Sequence, residues 1–204
     1  MKQHNITEKD GEILVKKARS IVTEYLHTLK KPETEKSFEE KFSFNAGVFL
    51  TLNNPMGLRG CIGLPLPNKK LFKALEDAAI SAATDDPRFS PVKFDELESI
   101  TFEVTVLTPP EIISVEKPEQ YLSEIKVGRD GLIVRNGFNA GLLLPQVPIE
   151  YGWSEKEFLE HTCEKAGLSR DYWKNPETQI ERFRGIVFKE EKPSGSVIKE
   201  ELQD

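Results

Sequence analysis

Cysteine, histidine and tryptophan are scarce in this chain of 204 residues, which contains two, three and two of them. Two cysteines cannot build the disulfide framework of a small secreted domain, so we expect Cys61 and Cys163 to be free thiols in a cytoplasmic protein. The sequence contains neither a C-x-x-C nor an H-E-x-x-H motif, the spacings typical of zinc sites. We therefore expect no metal and no other cofactor.

Long apolar runs are also missing. No stretch approaches the ~18 consecutive apolar residues of a membrane-spanning helix, and residues 1–5 lead into a charged amphipathic stretch rather than a secretory signal. Lysine and arginine total 28 against 34 aspartate and glutamate residues, and the net charge of -6 disfavours broad binding to nucleic-acid backbones. We expect a soluble cytoplasmic protein that binds no membrane, with nucleic acid disfavoured as a partner.

The composition is that of a globular protein, with 38% hydrophobic and 30% charged residues. Apolar residues at helical spacing predict helices at residues 7–29, 71–82 and 154–166. Short or alternating apolar runs predict strands at residues 46–52, 58–62, 100–107 and 180–188. Hairpins interrupted by separate helices predict an α+β fold, mainly an antiparallel sheet with flanking helices. We interpret residues 5–190 as a single domain with two lobes and residues 191–204 as a polar, mobile tail.

The hexapeptide LRGCIG at residues 58–63 gives the strongest indication of a site. Side chains two apart on a strand share a face, so we expect Arg59 and Cys61 to point the same way. A guanidinium beside a thiol favours the thiolate, which a reactive cysteine requires. Gly60 and Gly63 leave room for a ligand or for another backbone. In the alternative interpretation, Cys61 is a small buried apolar side chain and Arg59 pairs with a surface carboxylate.

Two segments with carboxyl groups are further candidates. Asp86 and Arg88 follow the second predicted helix, where they either bind a ligand or only organise the turn. Glu103 lies in a predicted strand on the same face as Thr101 and Thr105. Glu103 therefore either lines a polar pocket as a general base or faces water on an exposed sheet.

The last candidates lie in the second half of the chain. Two prolines predict a rigid loop at residues 144–150, which either holds Gln146 and Glu150 in a binding site or simply crosses the surface. His161 and Cys163 share the third predicted helix, but their spacing is not the i, i+4 spacing of a chelating pair. His161 and Cys61 form a base and a nucleophile only if the fold brings them together.

The hexapeptide resembles the hallmark of the AMMECR domain family. Further motifs of that family follow in the same order: DPRF at residues 86–89, FEVTVLT at 102–108, VGRDGL at 127–132, GLLLPQV at 141–147 and CEKAGL at 163–168. The match spans roughly residues 10–190, nearly the whole chain. The ordered set is far more specific than the hexapeptide alone.

The resemblance implies a two-lobed α+β fold with a cleft beside the hexapeptide, lined by Arg59, Gly60 and Cys61. The family has no established biochemical activity. Its prokaryotic members are encoded with, or fused to, Memo-type proteins and accompany radical-SAM proteins. The resemblance therefore implies partners of these two kinds in a small modification pathway.

Two functional hypotheses follow. In the first, the protein is an enzyme or enzyme subunit that acts on a small molecule or a modified residue. Cys61 is then the nucleophile, Arg59 holds an anionic group, and Glu103 or His161 moves protons. In the second, the protein is a non-catalytic module that docks a protein partner or, less favoured, binds RNA. The arginines considered for RNA binding are Arg59, Arg88, Arg129 and Arg135.

Overall fold

The computed structural model of the protein describes residues 6–200. The helices are α1 (Glu8–Thr28), α2 (Lys36–Lys41), α3 (Leu71–Thr84), α4 (Tyr121–Glu124), α5 (Gln146–Tyr151) and α6 (Glu155–Lys165). The strands are β1 (Val48–Asn54), β2 (Gly57–Leu64), β3 (Thr101–Leu107), β4 (Glu111–Ile112), β5 (Gly131–Asn136), β6 (Asn139–Leu143), β7 (Gln179–Phe183), β8 (Gly185–Glu190) and β9 (Val197–Glu200). Short 3₁₀ helices lie at Phe94–Glu98, Pro118–Gln120 and Tyr172–Lys174.

These elements divide into two compact units. Within the described residues, the first unit comprises residues 6–107 and 186–200, and the second comprises residues 108–185. Each unit has its own sheet and its own cluster of buried apolar side chains.

The first unit is built on a five-stranded sheet in the order β2-β1-β3-β8-β9. β1 pairs antiparallel with both β2 and β3. Leu50 and Leu52 of β1 are fully buried, whereas Thr51 between them is half-buried on the opposite face. Helices α1 and α3 pack against the face that carries Leu50 and Leu52. The sheet therefore has one apolar, helix-covered face and one more polar face.

Local sequence explains both covering helices. α1 begins, as predicted, at a capping box in which the Thr7 side chain accepts the Asp10 N–H and the Asp10 carboxylate accepts the Thr7 N–H. α3 presents small buried side chains to the sheet, among them Ala78 and Ala82, so its backbone approaches the strands closely. Full burial of a leucine such as Leu50 contributes about 1.5–3 kcal/mol, so this apolar face is the main source of stability in the unit.

Part of the segment predicted as a polar tail is structured. Residues 197–200 form β9, which pairs antiparallel with β8, and Val197 packs against the core of the first unit. Backbone pairing of this kind is not visible in the polar composition of the segment. Residues 1–5, which the sequence analysis examined for a secretory signal, lie outside the described residues. So do residues 201–204, the end of the predicted tail.

The second unit contains a four-stranded antiparallel sheet in the order β4-β7-β5-β6. β5 and β6 form a predicted hairpin whose turn places Gly137 at φ 57°, the left-handed conformation that favours glycine. α6 packs on these two strands, with Phe158 and Cys163 in the shared core. The backbone of α6 occupies the space where Gly141 of β6 would carry a side chain.

Two predictions about the second half of the chain are wrong. The single strand predicted at residues 180–188 is two strands in different sheets, β7 and β8. Arg184 separates them, because its carbonyl accepts the Thr108 N–H and its own N–H donates to Thr108 Oγ1. The rigid loop predicted at residues 144–150 is largely helix, since α5 runs through it to Gly152 in the left-handed conformation. Periodicity cannot show that a strand changes sheets.

The predicted α+β class, with antiparallel sheets and flanking helices, is confirmed. Within residues 6–200, none of the helices combines the length and the apolar character needed to cross a membrane.

Candidate functional site

The hexapeptide lies in β2, at the edge of the five-stranded sheet. Strand pairing places Cys61 opposite Thr51 of β1, and Thr51 opposite Glu103 of β3. All three side chains are half-buried on the face away from α1 and α3. We call Cys61, Thr51 and Glu103 the polar row.

Thr51 connects the two ends of the polar row. Its Oγ1 lies 3.4 Å from Cys61 Sγ, within hydrogen-bonding distance for sulfur. Thr51 also faces Glu103 across the β1–β3 pairing, and its side chain lowers the pKa of the Glu103 carboxyl. A threonine hydroxyl has one proton to donate and lone pairs to accept with, so it can bridge an acid and a base.

Burial raises the pKa of Glu103 above its ordinary value. The carboxylate of Glu200 on β9 raises this pKa further, whereas Lys189 on β8 and the Thr51 hydrogen bond lower it. Lys189 itself donates to Glu200 over 2.7 Å, so the positive charge of Lys189 is divided between Glu103 and Glu200. Glu103 therefore holds a proton more readily than a carboxyl group in water.

The backbone of Cys61 is held from the open side of the strand by two side chains. Asp86 Oδ2 accepts the Cys61 N–H over 2.8 Å, and Arg88 Nη2 donates to the Cys61 carbonyl over 3.1 Å. The two side chains also bind each other, through Arg88 Nε to Asp86 Oδ1 at 3.0 Å and Nη2 to Oδ2 at 2.8 Å. The pair occupies the hydrogen-bonding groups that a further strand would use at this position.

The Arg88 hydrogen bond dominates the electrostatics of Asp86 and holds the pKa of this carboxyl well below its usual range. Asp86 is only 5% exposed, whereas 53% of the Arg88 side chain is exposed. The same pairing raises the pKa of Arg88, and a smaller contribution to that rise comes from the Cys61 thiol. Arg88 rather than Arg59 is therefore the arginine whose guanidinium binds Cys61, at its backbone carbonyl.

Arg59, which we expected beside the thiol, is bound elsewhere. Its Nε and Nη2 donate to both carboxylate oxygens of Glu96 at 2.9 and 3.0 Å. Its Nη1 and Nη2 donate to the carbonyls of Ser90 and Pro91 at 2.8 and 3.3 Å. The Arg59 hydrogen bond is the main cause that lowers the pKa of Glu96. With a side chain only 11% exposed, Arg59 fastens β2 to the segment after α3, as in the alternative interpretation.

A β-bulge explains why the alternation argument misplaces Arg59. Leu52 pairs with Gly60, but the next residue of β1, Asn53, pairs with Leu58. Arg59 is thus the extra residue of the bulged strand, and an extra residue changes which way the side chains point. Two-residue periodicity holds only where the ladder is regular.

The two glycines of the hexapeptide make room for this protein's own atoms. A side chain at Gly60 would collide with the backbone carbonyl of Ala82 in α3. A side chain at Gly63 would collide with the ring of Phe49. The space that the sequence suggests for a ligand is therefore filled at both positions, and the close approach is of helix to sheet.

The remaining candidates lie in the second unit. His161 stacks on Trp153 with ring centroids 3.9 Å apart, and its Nδ1 donates to Glu164 over 2.7 Å. Cys163 is fully buried, and burial raises the pKa of its thiol to about 11, so it is an inert core residue. Gln146 and Glu150 are exposed on α5.

The arginines considered for RNA binding each face a carboxylate. The pairs are Arg59 with Glu96, Arg88 with Asp86, Arg129 with Asp130 and Arg135 with Glu181. Their charge is thus largely compensated within the fold. Across residues 6–200, no three His, Cys, Asp or Glu side chains are grouped in a way that could hold a metal ion.

Sequence reasoning missed Thr51, Lys189 and Glu200. Thr51 had a usable signal, because the predicted strands at residues 46–52 and 58–62 form a hairpin and a hairpin fixes which residues face each other. Lys189 and Glu200 had none, because they reach Glu103 through strand neighbours far along the chain.

The AMMECR1 family model matches residues 15–188. The chain belongs to the AMMECR1 family. The resemblance drawn from the hexapeptide and the ordered motifs is thereby confirmed.

AMMECR1-type relatives align over almost the whole chain. Protein MJ0810 of Methanocaldococcus jannaschii is 49% identical over 199 residues, which is 97% of this chain and 98% of that protein. Protein PYRAB00100 of Pyrococcus abyssi is 50% identical over 202 residues, again 97% of this chain and 98% of that protein. The crystal structure of the uncharacterized protein PH0010 from Pyrococcus horikoshii is similar with a TM-score of 0.80 and 48% identity, covering 97% of this chain and 99% of that chain.

None of these names states an activity. AMMECR1 membership therefore establishes what kind of fold the chain has, but neither an enzymatic nor an adaptor role. The cleft beside the hexapeptide and the Memo-type and radical-SAM partners stay predictions.

Proposed function

We propose that the protein is a cytoplasmic enzyme, or an enzyme subunit, that acts through Cys61 on a small anionic molecule or an anionic modified residue. One observation carries the proposal: the half-buried Cys61 has its backbone carbonyl on the Arg88 guanidinium and its thiol 3.4 Å from Thr51, which faces Glu103. A cation on one side and an acid–base group on the other is the arrangement that activates a thiol nucleophile.

Cys61 is the nucleophile, or the covalent tether, in this proposal. The positive charge of Arg88, whose guanidinium binds the Cys61 carbonyl, takes the role that the sequence suggested for Arg59. Asp86 holds Arg88 in place through two hydrogen bonds, so the guanidinium is oriented before any substrate arrives.

Arg88 also supports the choice of an anionic substrate. The hydrogen bonds to Asp86 and to the Cys61 carbonyl use Nε and Nη2. Nη1 of this half-exposed side chain is then the nitrogen that would meet a carboxylate or a phosphate. Glu103, rather than Asp86, moves the proton, because the low pKa of Asp86 keeps that group ionised.

Two alkylating reagents with the same reactive carbon test this proposal. Iodoacetate is anionic and iodoacetamide is neutral, so their rate ratio at Cys61 reports attraction of an anion. We expect the ratio to exceed that of glutathione by about two- to fivefold, the effect of ~0.4–1 kcal/mol from a partly exposed charge. Arg88→Gln should abolish the excess, and the matched control Arg59→Gln should keep it.

Peptide mass spectrometry after brief alkylation assigns the adduct to Cys61, and Cys61→Ser provides the blank. A rate ratio equal to that of glutathione, or one that Arg88→Gln leaves unchanged, would overturn the proposed anion selectivity. Native mass spectrometry of the freshly purified protein adds a direct check, because an enzyme that uses Cys61 as a tether can retain a covalent adduct there.

A second candidate is a docking module for a Memo-type or radical-SAM protein. Exposed apolar side chains at the turn between β1 and β2 favour it, since Met56 is 96% and Leu58 is 41% exposed beside the hexapeptide. Capture of a purified Memo-type protein should then survive Cys61→Ser and fail with Met56→Ser combined with Leu58→Ser. Capture that the double variant leaves intact would exclude this surface.

A further inference from the structure

We infer that Thr51 relays a proton between the Cys61 thiol and the Glu103 carboxyl, so that three neighbouring strands share one acid–base unit. The inference rests on the proposed function, because it supplies the base that prepares Cys61. Thr51 and Glu103 are positioning residues here, since they act on a substrate only through Cys61.

The sheet geometry brings the three groups together. The N–H and C=O of Cys61 bond to Asp86 and Arg88 on the open side of β2 rather than to β1. Cys61 and Thr51 are therefore a non-hydrogen-bonded pair, the kind in which opposite side chains lie closest. The distance of 3.4 Å between Thr51 Oγ1 and Cys61 Sγ agrees with that geometry. Thr51 in turn faces Glu103 across the β1–β3 ladder.

The proton transfer balances without any further reactant. The Cys61 S–H bond breaks and its proton passes to Thr51 Oγ1, while the original Thr51 hydroxyl proton passes to a Glu103 carboxylate oxygen. The products are a thiolate, an unchanged threonine and a neutral carboxylic acid. The neutral acid then donates to Thr51, which donates to the thiolate, so the hydrogen-bond chain reverses its direction but stays complete.

Two carboxyl groups lie near Cys61, and their surroundings separate their roles. Asp86 is fixed by Arg88 and by the Cys61 N–H, both of which favour the anion. Glu103 is half-buried, and burial and the negative charge of Glu200 raise its pKa. The positive charge of Lys189 lowers this pKa. The pKa values of the two carboxyl groups are thus shifted in opposite directions. This assigns Asp86 as the permanent anion and Glu103 as the proton acceptor. Thr51 connects Cys61 to Glu103.

The pH dependence of Cys61 alkylation tests the relay. Iodoacetamide is the probe, because it is neutral and insensitive to anion attraction by Arg88. In the wild-type protein the rate should rise in two steps, a first step as Glu103 titrates and a second as the remaining thiol ionises, as coupled groups do. Thr51→Val should remove the first step and lower the rate at neutral pH by about tenfold, the loss expected for one hydrogen bond to a charged group.

Matched variants separate the relay from simple packing. Thr51→Ser keeps the hydroxyl and should keep both steps. Glu103→Gln should behave like Thr51→Val, and the double variant should lose no more than either single variant, because both changes break one chain. Thr105→Val, which alters a hydroxyl further along β3 on the same face, should leave the profile unchanged.

Two results of these alkylation experiments would contradict the relay. The relay is wrong if Thr51→Val and Glu103→Gln both retain the two-step profile, or if their effects on the rate multiply in the double variant. Failure of the proposed function is a separate result: the iodoacetate preference would be absent or independent of Arg88, while the two-step profile with iodoacetamide persisted. Circular dichroism spectra and thermal midpoints of the variants show whether each one is folded.

Discussion

The Asp86 carboxylate accepts the backbone N–H of Cys61 over 2.8 Å, although 24 residues separate them along the chain. With Arg88 on the neighbouring carbonyl, this contact closes the edge of the sheet at the position of the thiol. The residues after α3 thereby fix where the Cys61 side chain lies, and they bring the cation with them.

Asp86→Asn should destabilise the first unit by about 1.5–3 kcal/mol, because it weakens charge-assisted hydrogen bonds to a buried group. The pKa of Asp86 is lowered in the folded protein, so its contribution to stability is present above the unfolded pKa of about 4 and is lost as the pH falls further. Urea unfolding at a series of pH values measures this. Asp85→Asn, at the exposed neighbouring carboxylate, should change little. Equal unfolding midpoints for wild type and Asp86→Asn would contradict the assignment.

Arg59→Lys should lower the free energy of unfolding by about 1–3 kcal/mol, because an ammonium group cannot bind Glu96 with two parallel hydrogen bonds and also reach both carbonyls. The same variant should leave the iodoacetamide profile of Cys61 unchanged. Chemical unfolding and alkylation of one preparation measure both properties. A shifted thiol profile with normal stability would restore Arg59 as the cation beside the thiol.

Glu103→Gln should stabilise the protein at neutral and alkaline pH. The pKa of Glu103 is raised in the folded state, so ionisation of the folded carboxyl reduces stability as the pH rises through that pKa. Below the unfolded pKa of about 4.3 the group is neutral in both states, and the advantage of glutamine should vanish. Thermal midpoints across this pH range measure the effect, with the exposed Glu98→Gln as the control. An advantage that grew towards acid pH would have the wrong sign.

Gly60→Ala should destabilise the protein by about 1–3 kcal/mol, because the added carbon meets the Ala82 carbonyl of α3 and forces strand and helix apart. Leu58→Ala, on the same strand but 41% exposed, is the control for a change in β2. Unfolding in urea measures both variants. If Gly60→Ala keeps the stability of the wild-type protein but loses the iodoacetate preference of Cys61, Gly60 serves binding rather than packing.

The candidate site shows how far local patterns reach. The sequence marks Cys61, Asp86, Arg88 and Glu103 as candidates, and the structure brings these four into one part of the first unit. The pattern fails at Arg59, because Arg59 is the extra residue of a bulge that breaks the two-residue alternation. No local rule predicts a bulge whose extra residue is held by the Phe94–Glu98 helix and two carbonyls from another part of the chain.

The secondary structure shows the same limit of local patterns. Helix α1 and its capping box follow from neighbouring residues, so they were predicted within a residue or two. The change of sheet at Arg184 was missed, because residues 180–188 have one continuous strand pattern and only pairing with different strands divides it. α5 was missed because two prolines resemble a loop, yet Pro145 at the cap and Pro148 within the first turn are both tolerated near a helix start.

By itself, the sequence determined the family, the α+β class and the identity of the thiol at the centre of the hexapeptide, because ordered motifs and apolar periodicity are local properties. Only the tertiary structure decided that Arg88 rather than Arg59 binds Cys61, and that Thr51 faces Cys61 on one neighbouring strand and Glu103 on the other. Those relationships depend on strand register, on a bulge and on a returning segment. Each is set by hydrogen bonds between residues distant in the chain, where neighbouring residues impose no preference.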